Sequence, residues 1–194
     1  MLKKRLGINA FERDWKWNNR LVDYFKIPTA LIIPESCEWI GIDAFCCYRK
    51  LKKVVIPSSV MWIRDYAFCV CDRLEEVEIP EGVMEIGNYA FEGCVRLKEI
   101  IIPGSVTEIK PRTFFECNRL RKAVISEGVE YIGFCAFYFC KKLEKVVIPE
   151  SVKYIGDDVF KGCKNATIIL KKAWSEFKEI GEQAFVGCKD VRGE

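Results

Sequence analysis

The strongest constraint on this chain is a period. An Ile followed by Pro or Ser recurs at Ile33, Ile56, Ile79, Ile102, Ile125 and Ile148, each 23 residues after the last. Residues 79 to 100, IPEGVMEIGNYAFEGCVRLKEI, are one copy of the unit, in which a Val-like slot, an Ile, an Ala-Phe pair, a Cys and a Leu return in the same places. A fixed period of this length means a solenoid, because one unit cannot bury its apolar face alone and does so only against its neighbours. At 194 residues the chain could hold one or two domains, but a stack of coils is one continuous body.

The spacing also lays out each coil. In LKKVVIPSSVMWI, residues 51 to 63, Leu51, Val54 and Ile56 are spaced to point inward, while Lys53 and Val55 alternate outward with the period of a strand. RLEEVEI, RLKEIII, RLRKAVI and KLEKVVI repeat the alternation. Proline follows in five of the six units, where it ends the strand and cannot donate to a ladder. Val60 and Ile63 then point in along a second extended segment. The stretch xxAFxxC has room for no more than one helical turn. The expected architecture is thus an α/β repeat solenoid: one short parallel strand per coil, a second short extended segment and a one-turn helix. Arg64 and Lys110 stand where other coils have Gly, so a positive backbone angle is not demanded there in every coil.

Three regions follow. Residues 1–30 read as an N-terminal cap, in which Leu6 to Phe11 echo Ile40 to Phe45 as a half-repeat and WKWNNRLVDYF reads as an aromatic lid, with a partner-binding arm as the alternative. Terminal repeats are atypical because they cover an open end of the core. Residues 31–164 hold the regular repeats. Residues 165–194 form an irregular last repeat, where a two-residue insertion brings in Trp174 and Phe177.

The recurring pattern IPxxVxxIGxxAFxxCxxLxxV, in register over roughly residues 31 to 188, resembles the BspA-like, or treponemal-type, leucine-rich repeat family. The resemblance implies a curved solenoid with a parallel sheet on one face. It implies a role in adhesion or partner recognition, with no catalytic site carried by the repeat residues.

Composition removes most other classes. The chain has 31 basic and 28 acidic residues and a net charge of +3, too balanced for nucleic-acid or membrane binding by charge alone. It has no histidine, which removes Ser-His and Cys-His pairs and the commonest metal ligand. No phosphate-cradling Gly-rich loop is present. Glu35, Glu81, Glu127 and Glu150 sit at outward turn positions. The expectation is a non-enzymatic protein without a cofactor or a metal. No run reaches the ~18 apolar residues of a membrane span, and MLKKRLGINAFERDWKW has no apolar core for a secretory signal. A cytoplasmic location is expected.

Of eleven cysteines, Cys71, Cys94, Cys117, Cys140, Cys163 and Cys188 share one slot, so they form an interior column of reduced thiols. Cys46, Cys47, Cys69 and Cys71 form a denser group. Cys46 and Cys69 lie one period apart, about 5 Å by strand spacing, which a disulfide can bridge. Unlinked thiols and a four-thiolate metal site without the usual CxxC spacing are the other readings.

Three surface columns are candidates for function. The outward strand slot reads Ile32, Val55, Glu78, Ile101, Val124 and Val147, an aliphatic strip broken by one carboxylate. Lys53, Glu76, Glu99, Lys122 and Lys145 lie beside it. The slot before Leu reads Lys50, Arg73, Arg96, Arg119 and Lys142, a basic stripe of stacked like charges. The slot before the repeat Ile reads Trp39, Trp62, Glu85, Glu108, Tyr131 and Tyr154, with paired aromatics as anchors at both ends. The first expectation is a protein partner on the strand face. The alternatives are a polyanion or nucleic acid on the stripe, and a structural segment of a larger cell-surface adhesin array.

Overall fold

The computed structural model describes residues 29–193. The half-repeat and aromatic lid expected at the N-terminus lie outside the described residues.

Each coil contributes two strands. The first three coils give Ala30–Ile32 (β1), Trp39–Ile40 (β2), Lys53–Val55 (β3), Trp62–Ile63 (β4), Glu76–Glu78 (β5) and Glu85–Ile86 (β6). The next three give Glu99–Ile102 (β7), Glu108–Ile109 (β8), Lys122–Ile125 (β9), Tyr131–Ile132 (β10), Lys145–Ile148 (β11) and Tyr154–Ile155 (β12). Thr167–Leu170 (β13), Glu179–Ile180 (β14) and Asp190–Gly193 (β15) follow. The even-numbered strands build one parallel seven-stranded sheet, while the odd-numbered ones build two, β1-β3-β5 and β7 through β15. The second extended segment of the sequence reading is a true strand.

The helical turn expected at xxAFxxC is not formed. The N–H groups of Ala67, Cys69 and Cys71 donate to carbonyls three residues back, while those of Tyr66, Phe68 and Val70 donate across to Asn88, Ala90 and Glu92 of the next coil. A helix satisfies its donors within itself. Here alternate donors must reach the neighbouring coil, so two slots per coil turn left-handed, Tyr66 at φ 58° and Val70 at φ 55° among them. Among the described residues the one helical element is the 3-10 turn Trp174–Glu176. The described residues therefore form a parallel β-solenoid of about seven turns, with almost no helix among them. At Gly87 the demand is for close approach: an added Cβ would sit 2.4 Å from the Asp65 backbone nitrogen.

Inward columns hold the stack together. Phe45, Phe68, Phe91, Phe114, Phe137, Phe160 and Phe185 stack ring on ring, with centroids 5.3 to 6.0 Å apart. The five central rings are fully buried, each contributing about 1.5–3 kcal/mol of transfer free energy. Leu51, Val54 and Ile56 are buried as their spacing required, and so are their equivalents Leu97, Ile100 and Ile102.

Candidate partner-binding surface

The outward strand slot is held rigidly, because each residue stands on a strand paired to its neighbours. Val55 and Ile101 are 43% and 50% exposed. Val124 and Val147 are only half-buried rather than open, and Ile169 farther along is buried. The strip thus sinks toward the C-terminal coils, a trend the sequence spacing did not carry. Glu78 is exposed at the edge of β5, where the odd-numbered sheet splits. A cleft of about 380 Å³ opens there, lined by Lys53, Val55, Glu75, Val77, Glu78 and Glu99 among others. Val77 is half-buried, whereas Val54, Ile100 and Val146 in the same slot are buried.

Charges beside the strip pair from coil to coil: Lys53 with Glu76 at 2.9 Å, Lys98 with Glu75 at 2.6 Å, and Lys122 with Glu99 at 3.8 Å. The hydrogen bond and charge of Lys98 hold the Glu75 carboxyl below its usual range. These pairs are solvated and contribute little to stability. They set a charge pattern instead.

The five residues of the basic stripe, Lys50, Arg73, Arg96, Arg119 and Lys142, are all exposed. None of them enters an ion pair with the described residues.

The aromatic column is divided. Trp39 is 36% exposed, and the Arg64 guanidinium lies 5.6 Å over the Trp62 ring. Tyr131 and Tyr154 tilt against each other at 6.0 Å, with Lys178 over Tyr154. Burial raises the Tyr131 hydroxyl above its ordinary range. Between the two pairs, Glu85 is held by Arg64 at 3.3 Å and Lys110 at 2.6 Å. The tryptophans stand at one end of this column and the tyrosines at the other, with Glu85 and Glu108 between them.

All eleven cysteines are free. Cys71, Cys94, Cys117, Cys140 and Cys163 are buried, and each thiol of the column donates to the Phe carbonyl of the coil before, as Cys94 does to Phe68 at 3.2 Å and Cys117 to Phe91 at 3.3 Å. Cys thus fits the slot as a small buried group that also donates, a role spacing alone did not reveal. The Cys46 and Cys47 sulfurs lie 3.6 Å apart. Burial raises Cys46 and takes Cys69 up to about 11, the opposite of an activated thiolate. Among the described residues no group of His, Cys, Asp or Glu is placed to hold a metal ion.

One surface was missed by sequence reasoning. On the turn side Tyr66 stacks on Tyr89 at 4.6 Å, and Arg112 lies 5.3 Å from Tyr89 and 3.9 Å over Phe115. Phe115 stacks on Tyr138 at 4.9 Å, and Tyr138 meets Phe139 edge-on. Tyr66, Tyr89 and Arg112 stand one period apart in one slot, and Phe115 and Tyr138 in another; the contact of Arg112 with Phe115 joins the two columns. Arg112 also pairs with Glu92 at 3.1 Å; burial still raises the Glu92 carboxyl, against the pull of that arginine.

Coils, inward columns and paired strands define a leucine-rich repeat solenoid, a class of binding scaffold that is typically without catalysis. The sequence profile described as "BspA type Leucine rich repeat region" matches residues 107–192. The chain is 32% identical to the T. pallidum leucine-rich repeat protein, with a TM-score of 0.76 over 84% of this chain and 77% of that one. It is 28% identical to a leucine-rich repeat protein from Eubacterium ventriosum, with a TM-score of 0.77 over 84% of this chain and 44% of that one. The chain belongs to the BspA-type leucine-rich repeat family. A search of curated proteins found no match. No helix among the described residues is long and apolar enough to cross a membrane.

Proposed function

We propose that this protein is a non-enzymatic protein–protein interaction module that binds its partner through the strand face. Val55, Ile101, Val124 and Val147 supply the apolar contact, and Glu78 sets orientation. Leucine-rich repeat proteins commonly mediate protein interaction. The observation that carries the reading is the exposure of Ile32, Val55 and Ile101 at 64%, 43% and 50%, on strands rigid enough to bind without further folding cost. An aliphatic row gives area, and the pattern of two inner acids, Glu76 and Glu99, between the outer lysines Lys53 and Lys122 gives selectivity. Trp39 and Trp62 lie on the other sheet and are secondary anchors at most.

The test is to capture a partner on the immobilised protein, purify it, and titrate it against variants. Ile101→Asp is expected to weaken binding by roughly tenfold or more, the scale of a central interface residue. Arg73→Glu with Arg96→Glu should leave that partner bound. If only the arginine variant loses the partner, the strand-face assignment is wrong.

A further inference from the structure

We propose that the cation column before the leucine slot is a second binding surface, and that it takes an acidic polypeptide segment lying along the stack axis. This goes beyond the strand-face reading and does not rest on it. The first observation is a contrast in pairing. Lys53, Arg64, Lys98, Lys110, Arg112 and Lys122 each hold a carboxylate. Lys50, Arg73, Arg96, Arg119 and Lys142 are exposed and hold none among the described residues. Like charges stacked one coil apart, at ~4.8 Å, repel. No ion pair within the described residues neutralises this column, although the charge of Arg96 reaches Glu75, so an external anion stands to gain there.

The surroundings choose among anions. The slot after the leucine reads Lys52, Glu75, Lys98, Arg121 and Glu144, and Asp72 stands on the other side of the column, so carboxylates interrupt the neighbouring cations at three places. A dense, uniform polyanion would meet these carboxylates, whereas a polypeptide can space its charges to avoid them. The slot on the other side of the column reads Arg49, Asp72, Val95, Asn118 and Lys141. It offers no aromatic ring for bases to stack on, the usual support of single-stranded nucleic acid. Three of the five cations are arginine, whose planar fork fits a carboxylate with two hydrogen bonds. Four coil steps span ~19 Å, the length of about six extended residues, so three or four side chains of one segment can meet the column.

The probe is a fluorescein-labelled decapeptide of alternating Glu and Ser, read by anisotropy, beside the same peptide with Gln for Glu, a decathymidylate and a heparin-derived decasaccharide. The Glu peptide should bind and the Gln peptide should not, with affinity falling as salt rises. Arg73→Glu with Arg96→Glu should weaken it about tenfold or more, as expected for lost charge complementarity, while Ile101→Asp leaves it unchanged. Arg73→Gln with Arg96→Gln should weaken it less, which checks the result in a variant without reversed charge. Equal binding of the Gln peptide, tighter binding of the nucleic acid or the sulfated sugar, or indifference to both arginine variants would each overturn the proposal. Loss through Ile101→Asp would overturn its placement.

Discussion

The two sheets of the solenoid cover the same coils with the same spacing, yet the even-numbered one is continuous and the odd-numbered one splits between β5 and β7. The difference follows the outward charges. Where neighbouring coils present opposite charges, as Lys53 to Glu76 and Glu99 to Lys122, the strands pair along their whole length. Glu76 and Glu99 face each other across the split, and each is drawn away by a lysine on its far side. In the even-numbered sheet Glu85 and Glu108 form a similar step, but Arg64 and Lys110 neutralise Glu85. That ladder thins, keeping Ile86 opposite Ile109, without breaking. The third like-charge step, Lys122 to Lys145, also keeps a single pair. Like charges opposite one another cost sheet stability, and here they mark the three weak steps of both walls. The inward columns run past all three without interruption, so the core carries the stack and the surface charges modulate it.

The largest way to break both walls at once is through the thiol column. Burial raises the thiols of Cys71, Cys94, Cys117 and Cys140 far above the ordinary range. The folded protein therefore keeps their protons after the unfolded chain starts to lose them. This stability is fully present below about pH 8.5, the ordinary thiol value, and is lost progressively as pH rises from there toward the raised folded-state values. Each thiol costs ~1.4 kcal/mol per pH unit in that window, so the four together should remove roughly 5 kcal/mol by about pH 9.5. Urea unfolding at neutral pH and at pH 9.5 measures it; an unchanged midpoint would mean that the column is not buried in solution.

Next in size is the aromatic column. Phe91 is fully buried, stacked between Phe68 and Phe114, and Phe91→Ala should cost about 3–5 kcal/mol. The ring stands between the two walls, so hydrogen exchange should rise in β5 to β8 on both sides together. A loss below roughly 1 kcal/mol, typical of a surface change, would contradict the inward placement.

Much of this was legible in the sequence. The inward slots were read from Leu51, Val54, Ile56 and Phe91 because a period of 23 gives each slot one fixed environment. The turn at xxAFxxC reads as helical in isolation, because Ala-Phe carries no sign that alternate N–H groups bond to the next coil. The sinking of Val124 and Val147 was illegible for a similar reason: a slot is named by its repeat position, and its exposure depends on what flanks the coil. Tyr66, Tyr89 and Arg112 were legible as one column and Phe115 and Tyr138 as another, but the contact of Arg112 with Phe115 that joins them runs between slots, and reading by columns hides it. The sheet split could have been found: Glu76 and Glu99 are one period apart, and each has its lysine on the far side.

A smaller change should heal the split. Glu99→Thr removes one of the facing carboxylates and places a β-branched strand former there. Thr167 occupies the same slot in β13, which pairs fully with both β11 and β15. Closure should slow amide exchange at the facing edges of β5 and β7 and add about 0.5 kcal/mol, the scale of one cross-strand pair. The substitution also removes the ion pair to Lys122, which at 3.8 Å is long and solvated and so contributes little. Should the edges exchange as fast as before, repulsion is not what holds the sheet open.

The smallest effect should come from the other Glu–Glu step, and its size relative to Glu99→Thr tests the electrostatic account itself. Glu108→Gln removes a like charge opposite Glu85, but Glu85 is already held by Arg64 at 3.3 Å and Lys110 at 2.6 Å. A carboxylate so paired repels its neighbour less, because the field beyond the pair is largely cancelled and solvent screens the rest. The expected change is therefore a few tenths of a kcal/mol at most, within the ordinary range of a surface substitution. Adding salt should shrink it further and should shrink the Glu99→Thr gain in parallel. Removing the shield should erase the difference: in a Lys110→Ala background, Glu108→Gln should gain roughly as much as Glu99→Thr does in the parent chain, about 0.5 kcal/mol. If Glu108→Gln matches Glu99→Thr while Arg64 and Lys110 are intact, cation placement does not decide which wall stays whole, and the split has to be sought in backbone geometry.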